Sequence, residues 1–153
     1  MQKKSVKIVK PPNLFRKTQQ MIKKIEAEID GAFLIYWSAG GSICHSDVPP
    51  LAEALNKIGH QEKVYLFIKS TGGNGQAALR LVNLLRQYAN NIVALIPLEC
   101  ASAATMISLG ADEIHMGPLA YLTAVDTSLT HDLSPVDKNN YSVSVSQDEL
   151  NRV

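Results

Sequence analysis

The stretch VYLFIKSTGGNGQAALRLVNLLRQYANNIVALIP, Val64 to Pro97, decides the fold. VYLFIKS is a short, nearly continuous apolar run of strand length. TGGNG is a turn, because tandem glycines interrupt both helix and strand patterns. From Gln76 to Tyr88 apolar residues recur at helical spacing, and IVALIP closes the unit as a further apolar strand. Strands buried in a parallel sheet read as unbroken apolar runs, whereas half-solvated strands alternate. The stretch therefore predicts a parallel strand–helix–strand unit in a sheet covered on both faces.

Working outward, AFLIYW (Ala32–Trp37) is an earlier strand of the same kind, and SAGGSICHSD after it is a loop. Pro49-Pro50 opens a helix reaching about Ile58. Asn13 is placed to cap a helix running to about Ile29, with Leu14, Met21, Ile22, Ile25 and Ile29 as its apolar positions. Downstream, LECASAATMISLGADEIHMGP (Leu98–Pro118) supplies a turn, a helix and a strand, Glu113–Met116. AYLTAV reads as one more strand, and the polar segment after it as irregular. Ser146-Gln-Asp-Glu149 has the form of a capping box. A helix start so close to Val153 fits a domain truncated at its C-terminus. The expected organisation is a basic arm over residues 1–12 and a single α/β domain over 13–153.

A chain of 153 residues with 46% hydrophobic content is one domain with enough apolar surface for a core. Its formal net charge of +1 gives no electrostatic case for nucleic acid. The charge is uneven, since Lys3, Lys4, Lys7, Lys10, Arg16, Lys17, Lys23 and Lys24 face only Glu26, Glu28 and Asp30 in the first thirty residues. That basic segment is a candidate for contact with an anionic membrane surface. Cys44 and Cys100 make no disulfide framework. No apolar run reaches the roughly 18 residues of a membrane span, and no signal peptide opens the chain, so a cytoplasmic location is expected. No Gly-Lys-Ser/Thr follows the glycine pair and no dinucleotide fingerprint is present, so neither cofactor nor metal is expected.

Parallel sheets place ligands at the carboxyl ends of their strands. Two strand-to-helix turns stand there. In Ser70–Gly75 the tandem glycines let backbone N–H groups face a site with no Cβ in the way. In Glu99–Ala104 a single serine, Ser102, sits among Ala101, Ala103 and Ala104. A serine at a helix start is usually an N-cap, worth about 1 kcal/mol. A cap needs no small neighbours. A nucleophile does, because a carbonyl must approach to about 3 Å. The helix start also offers N–H donors to a developing oxyanion.

Together, LFIKSTGGNGQAALRLVNLL and ASAATMISLGADEIHMGP resemble the Clp protease/crotonase superfamily, over about Phe33 to Val125. The nearer branches are the signal-peptide-peptidase type, the membrane-associated Clp-class serine proteases and above all the serine dehydrogenase proteinase family. The resemblance implies a ClpP/crotonase-like fold of repeated ββα and βα units with a mainly parallel sheet. It implies a serine peptidase that cleaves peptide or protein substrates through an acyl-enzyme and works as a homo-oligomer. Ser102 becomes the nucleophile, and the amides of Gly72, Gly73 and Ala103 the oxyanion hole.

Two positions depart from the family pattern. Thr71 stands where Pro usually precedes the glycine pair, and Leu122-Thr-Ala-Val-Asp126 where relatives often read Leu-Gly-Pro-Ile-Asp. The general base is not evident. Clp proteases place a His where Thr127 falls here. The peptidase branches use Lys, which makes Lys138 a candidate, as the only lysine after Ser102, with His131 as the alternative. His115 is read as a packed strand residue, His45 and His60 as loop or surface positions, and Cys100 as a small buried filler. Two other readings stand beside the peptidase: a non-catalytic relative serving as an assembly or peptide-binding scaffold, and a crotonase-like enzyme whose oxyanion hole holds an acyl-CoA thioester. The helix Gln76–Tyr88 is more apolar than one buried stripe needs, and Tyr121, Leu122, Val125 and Leu129 lack an obvious partner, which also argues for assembly.

Overall fold

A computed structural model describes residues 14–38, 40–126, 128–129, 134–143 and 145–146. The elements in chain order are α1 (Leu14–Glu26), β1 (Ala32–Trp37), α2 (Val48–Ile58), β2 (Gln61–Lys69), α3 (Gly75–Tyr88), β3 (Ala89–Ile96), β4 (Glu99–Cys100), α4 (Ala103–Leu109) and β5 (Glu113–Met116). Three two-residue strands follow: β6 (Tyr121–Leu122), β7 (Ser128–Leu129) and β8 (Val145–Ser146). The principal sheet has the order β1-β2-β3-β5 and is parallel throughout. β4 pairs with β6 in parallel, and β7 with β8 antiparallel.

The expected mainly parallel α/β architecture forms, with one correction. Strand order follows chain order without a reversal. Right-handed crossovers then deliver every connecting helix to the same face. α2, α3 and α4 accordingly pack against one another and bury the alternate β2 residues Val64, Leu66 and Ile68. α3 contributes Ala77, Ala78, Leu81 and Leu85 to this core, and Asn74 caps it by accepting the Ala77 N–H at 2.8 Å. The opposite face is not covered to the same degree. There Trp37 stacks on Phe67 at 6.0 Å between ring centroids, yet Ile35 and Trp37 remain 43% and 49% exposed.

The other differences are local. α1 ends at Glu26 rather than near Ile29, and β3 begins at Ala89, directly after α3. Asn90 and Asn91 are polar but extended, because β3 pairs with β2 from Ala89 onward. Ser146 stands in β8, not at a helix start. The arm over residues 1–12, the cap at Asn13 and the rest of the Ser146–Glu149 motif lie outside the described residues. No described helix is long and apolar enough to cross a membrane.

Candidate active site

The carboxyl end of β2 is clamped from both sides. On one side Ser70 bridges to Cys100: the Ser70 N–H donates to the Glu99 carbonyl at 3.0 Å, and the Ala101 N–H to the Ser70 carbonyl at 3.0 Å. The neighbouring side chains reinforce this contact. Lys69 and Glu99 form an ion pair at 2.5 Å with side chains only 15% and 27% exposed, and the Tyr121 hydroxyl approaches the same carboxylate at 3.4 Å. On the other side Ile43 bridges to Gly73. Its N–H donates to the Gly72 carbonyl, and its carbonyl accepts the Asn74 N–H, both at 2.8 Å. The glycine turn is thereby seated against the serine turn.

Both glycines are required by this seating. Gly72 has φ 105° and Gly73 φ 145°, in the region that side chains disfavour. A Cβ on Gly72 would lie 2.7 Å from the Ala101 carbonyl oxygen and 2.8 Å from the Ser102 Cβ. One on Gly73 would run into the Ile43 backbone. The two amides then part ways. The Gly72 N–H turns inward to the buried Ser70 hydroxyl at 3.1 Å, which corrects the expectation that it serves the site. The Gly73 N–H has no hydrogen-bond partner among the described residues, because its bridge to Ile43 engages only the groups on either side of it.

Ser102 stands at the N-cap position of α4, with φ 50° and ψ −117°, and its hydroxyl makes no capping bond. A non-glycine residue held there costs on the order of 1–3 kcal/mol, so the surrounding structure imposes the conformation. A sharp, strained strand-to-helix turn of this kind is a means of presenting a serine hydroxyl. The Ser102 N–H is tied to Thr123 Oγ1 at 2.8 Å, and the Ala103 N–H has no partner among the described residues. Thr123 lies within residues 122–126, the segment whose last two residues line a cleft beside Ser102. Ser102, Gly73 and Ala103 line one cleft of about 300 Å³, with Asn74, Gly75, Met106, Val125 and Asp126.

The remaining candidates among the described residues lie elsewhere. Lys138 is exposed in the turn that follows Asp137, whose carboxylate accepts the Asn139 and Tyr141 amides, and it does not line the cleft. His131 lies outside the described residues. His115 is exposed and paired with Glu113 at 3.0 Å rather than packed. His45 and His60 are exposed. Cys100 is fully buried beside the Ser108 hydroxyl at 3.0 Å, and burial pushes its thiol up. Among the described residues no cluster of His, Cys, Asp or Glu is placed to hold a metal ion.

No protein-family model and no curated protein matches the chain. Solved structures do. A mutant of the 1510-N membrane-bound stomatin-specific protease superposes with a TM-score of 0.55 at 17% identity, over 79% of this chain and 56% of that one. The ClpP protease catalytic domain from Plasmodium falciparum superposes with a TM-score of 0.55 at 16% identity, over 76% of this chain and 61% of that one. The fold is ClpP/crotonase-like. A second 1510-N mutant, in complex with a substrate peptide, superposes with a TM-score of 0.50 at 18% identity, over 79% of this chain and 53% of that one. The chain thus spans between half and two thirds of these structures, and the likeness at such identities is one of fold.

Two stability predictions follow from the geometry. Glycine usually costs a protein roughly 0.5–1 kcal/mol relative to alanine through lost chain entropy. At position 102 relief of the positive φ outweighs this, so Ser102→Gly should be at least as stable as Ser102→Ala in urea unfolding. Second, the ion pair to Lys69 holds the Glu99 carboxyl below the ordinary glutamate range. A lowered folded-state value stabilises above the unfolded one, and that stabilisation is lost as pH falls through the folded value. Glu99→Gln should therefore be less stable than the parent at about pH 7, and the gap should shrink as pH falls below the ordinary glutamate range.

Proposed function

We propose that the chain is a serine peptidase of the Clp protease/crotonase superfamily, with Ser102 as nucleophile. One observation carries the reading: a strained, uncapped serine shares a cleft with two amides, Gly73 and Ala103, that have no other partner among the described residues. Attack by Ser102 Oγ on a peptide carbonyl puts negative charge on the carbonyl oxygen. Two fixed N–H donors facing that oxygen stabilise the tetrahedral intermediate without reorganisation, and loss of one such donor costs an enzyme about 100-fold or more. The hydroxyl also needs a proton acceptor. This chain offers Lys138 and His131 for that role, in the segment that follows the cleft-lining residues. Alanine at the one that acts removes turnover as fully as Ser102→Ala, because nucleophile and base work as a unit.

A second reading, a non-catalytic scaffold that binds peptide, is favoured by a different observation: no His or Lys lines the cleft among the described residues. A serine-directed fluorophosphonate separates the two. The peptidase reading expects one adduct on the intact protein by mass spectrometry and none on Ser102→Ala. An unlabelled parent, or equal labelling of the variant, overturns it.

We further propose that copies of the chain assemble. Ile35 and Trp37 on the open face of the sheet, with Leu119, Tyr121 and Val125 beyond β5, leave more large apolar surface exposed than a monomer ordinarily carries. Sedimentation equilibrium should give a mass above 16.7 kDa, and a mass that stays at that value at micromolar concentration contradicts the proposal.

A further inference from the structure

Asp126 lines the cleft that holds Ser102, and no other lining residue is ionisable. It is exposed and, among the described residues, has no hydrogen bond or ion pair. Between β1 and Tyr141 every other described carboxylate is held: Asp47 by the Tyr36 hydroxyl and the Cys44 amide, Glu53 by Lys57, and Glu62 by Asn90. Lys69 holds Glu99, Arg86 holds Asp112, His115 holds Glu113, and two backbone amides hold Asp137. Within that span Asp126 is the one described carboxylate without a partner, and it stands beside Ser102 in the cleft.

A solvated carboxylate costs nothing while water reaches it. When a ligand displaces that water, the same charge is left uncompensated unless the ligand brings a cation. Neighbours in the cleft suit a particular kind of cation. Met106 and Val125 are apolar and line the same space, so they accept an alkyl stem, while the carboxylate meets the charged end. No hydrogen bond joins the Asp126 and Ser102 side chains among the described residues.

We infer that Asp126 forms a subsite for a cationic group of the substrate, an ammonium or guanidinium placed close to the scissile bond. This rests on the reading of the cleft as a peptide site. The stem-accepting neighbours favour a Lys or Arg side chain, and a free α-amino group offers the same charge without a stem.

The test separates the subsite from the chemistry. In the full chain carrying Ser102→Ala, titration calorimetry compares two capped peptides that differ only in lysine against norleucine, and a third that carries norleucine with a free amino terminus. Lysine should bind about fivefold more tightly than norleucine, the scale of a partly solvated ion pair. The preference should fall as salt is raised. Adding Asp126→Asn should bring the ratio to about one, and Asp126→Glu should keep a preference. A free amino terminus that binds as well as lysine assigns the cation to the chain end and retains the subsite. Equal affinity for all three peptides, no binding of any, or a preference that survives Asp126→Asn overturns the inference. Absence of fluorophosphonate labelling in the parent would refute the peptidase reading while leaving the calorimetric preference to stand.

Discussion

Ser70 is where the chain commits itself. It is fully buried, and each of its polar groups is used: the amide and carbonyl pair with the backbone on either side of Cys100, and the hydroxyl takes the Gly72 N–H. A buried hydroxyl or amide without a partner costs about 1–3 kcal/mol, so these bonds come as a set. Through them the glycine turn and the serine turn, which leave the sheet at neighbouring strands, are drawn into contact. The Lys69–Glu99 ion pair sits directly over that seam. Gly72 is the residue at the point of contact, and only the absence of a Cβ lets the Ser102 turn approach it.

Given that approach, the conformation of Ser102 is imposed rather than chosen. Its amide is tied to Thr123 and its carbonyl accepts the Met106 N–H at 3.2 Å, so the peptide units on both sides are fixed. Strain at one residue persists when the surroundings over-determine it. Ala103 and Ala104 are buried, which anchors the start of α4 in the core under α3. The cleft is thus built on packed elements, and the residues lining it include Ser102, Gly73, Ala103 and Asp126.

Much of this was legible in local pattern. Unbroken apolar runs marked β1, β2 and β3, and the small residues around Ser102 marked a serine given space rather than a cap. What was missed depends on which distant residues meet. Coverage of both sheet faces was expected because burial of a strand says nothing about strand order, and it is the order that sends α2, α3 and α4 to one side. Lys69 and Glu99 form their pair between strands that carry no shared motif. Thr123 looked like a departure from a family pattern, and it turns out to anchor the serine amide. Gly72 and Gly73 read alike in sequence, yet the Gly72 amide is used by the Ser70 hydroxyl while the Gly73 amide has no partner among the described residues. Lys138 was singled out by the resemblance and as the only lysine after Ser102, and it stands exposed in the turn around Asp137.

We propose that Ser102 and the unpartnered amides of Gly73 and Ala103 act on the same atom. A crystal structure of the protein after reaction with a small alkyl fluorophosphonate tests it most directly, since the phosphonyl oxygen occupies the position of the oxyanion. The account predicts phosphorus bonded to Ser102 Oγ, with that oxygen about 2.7–3.1 Å from both the Gly73 and the Ala103 nitrogen. An adduct on another residue, or one on Ser102 whose oxygen points away from both amides, would contradict it.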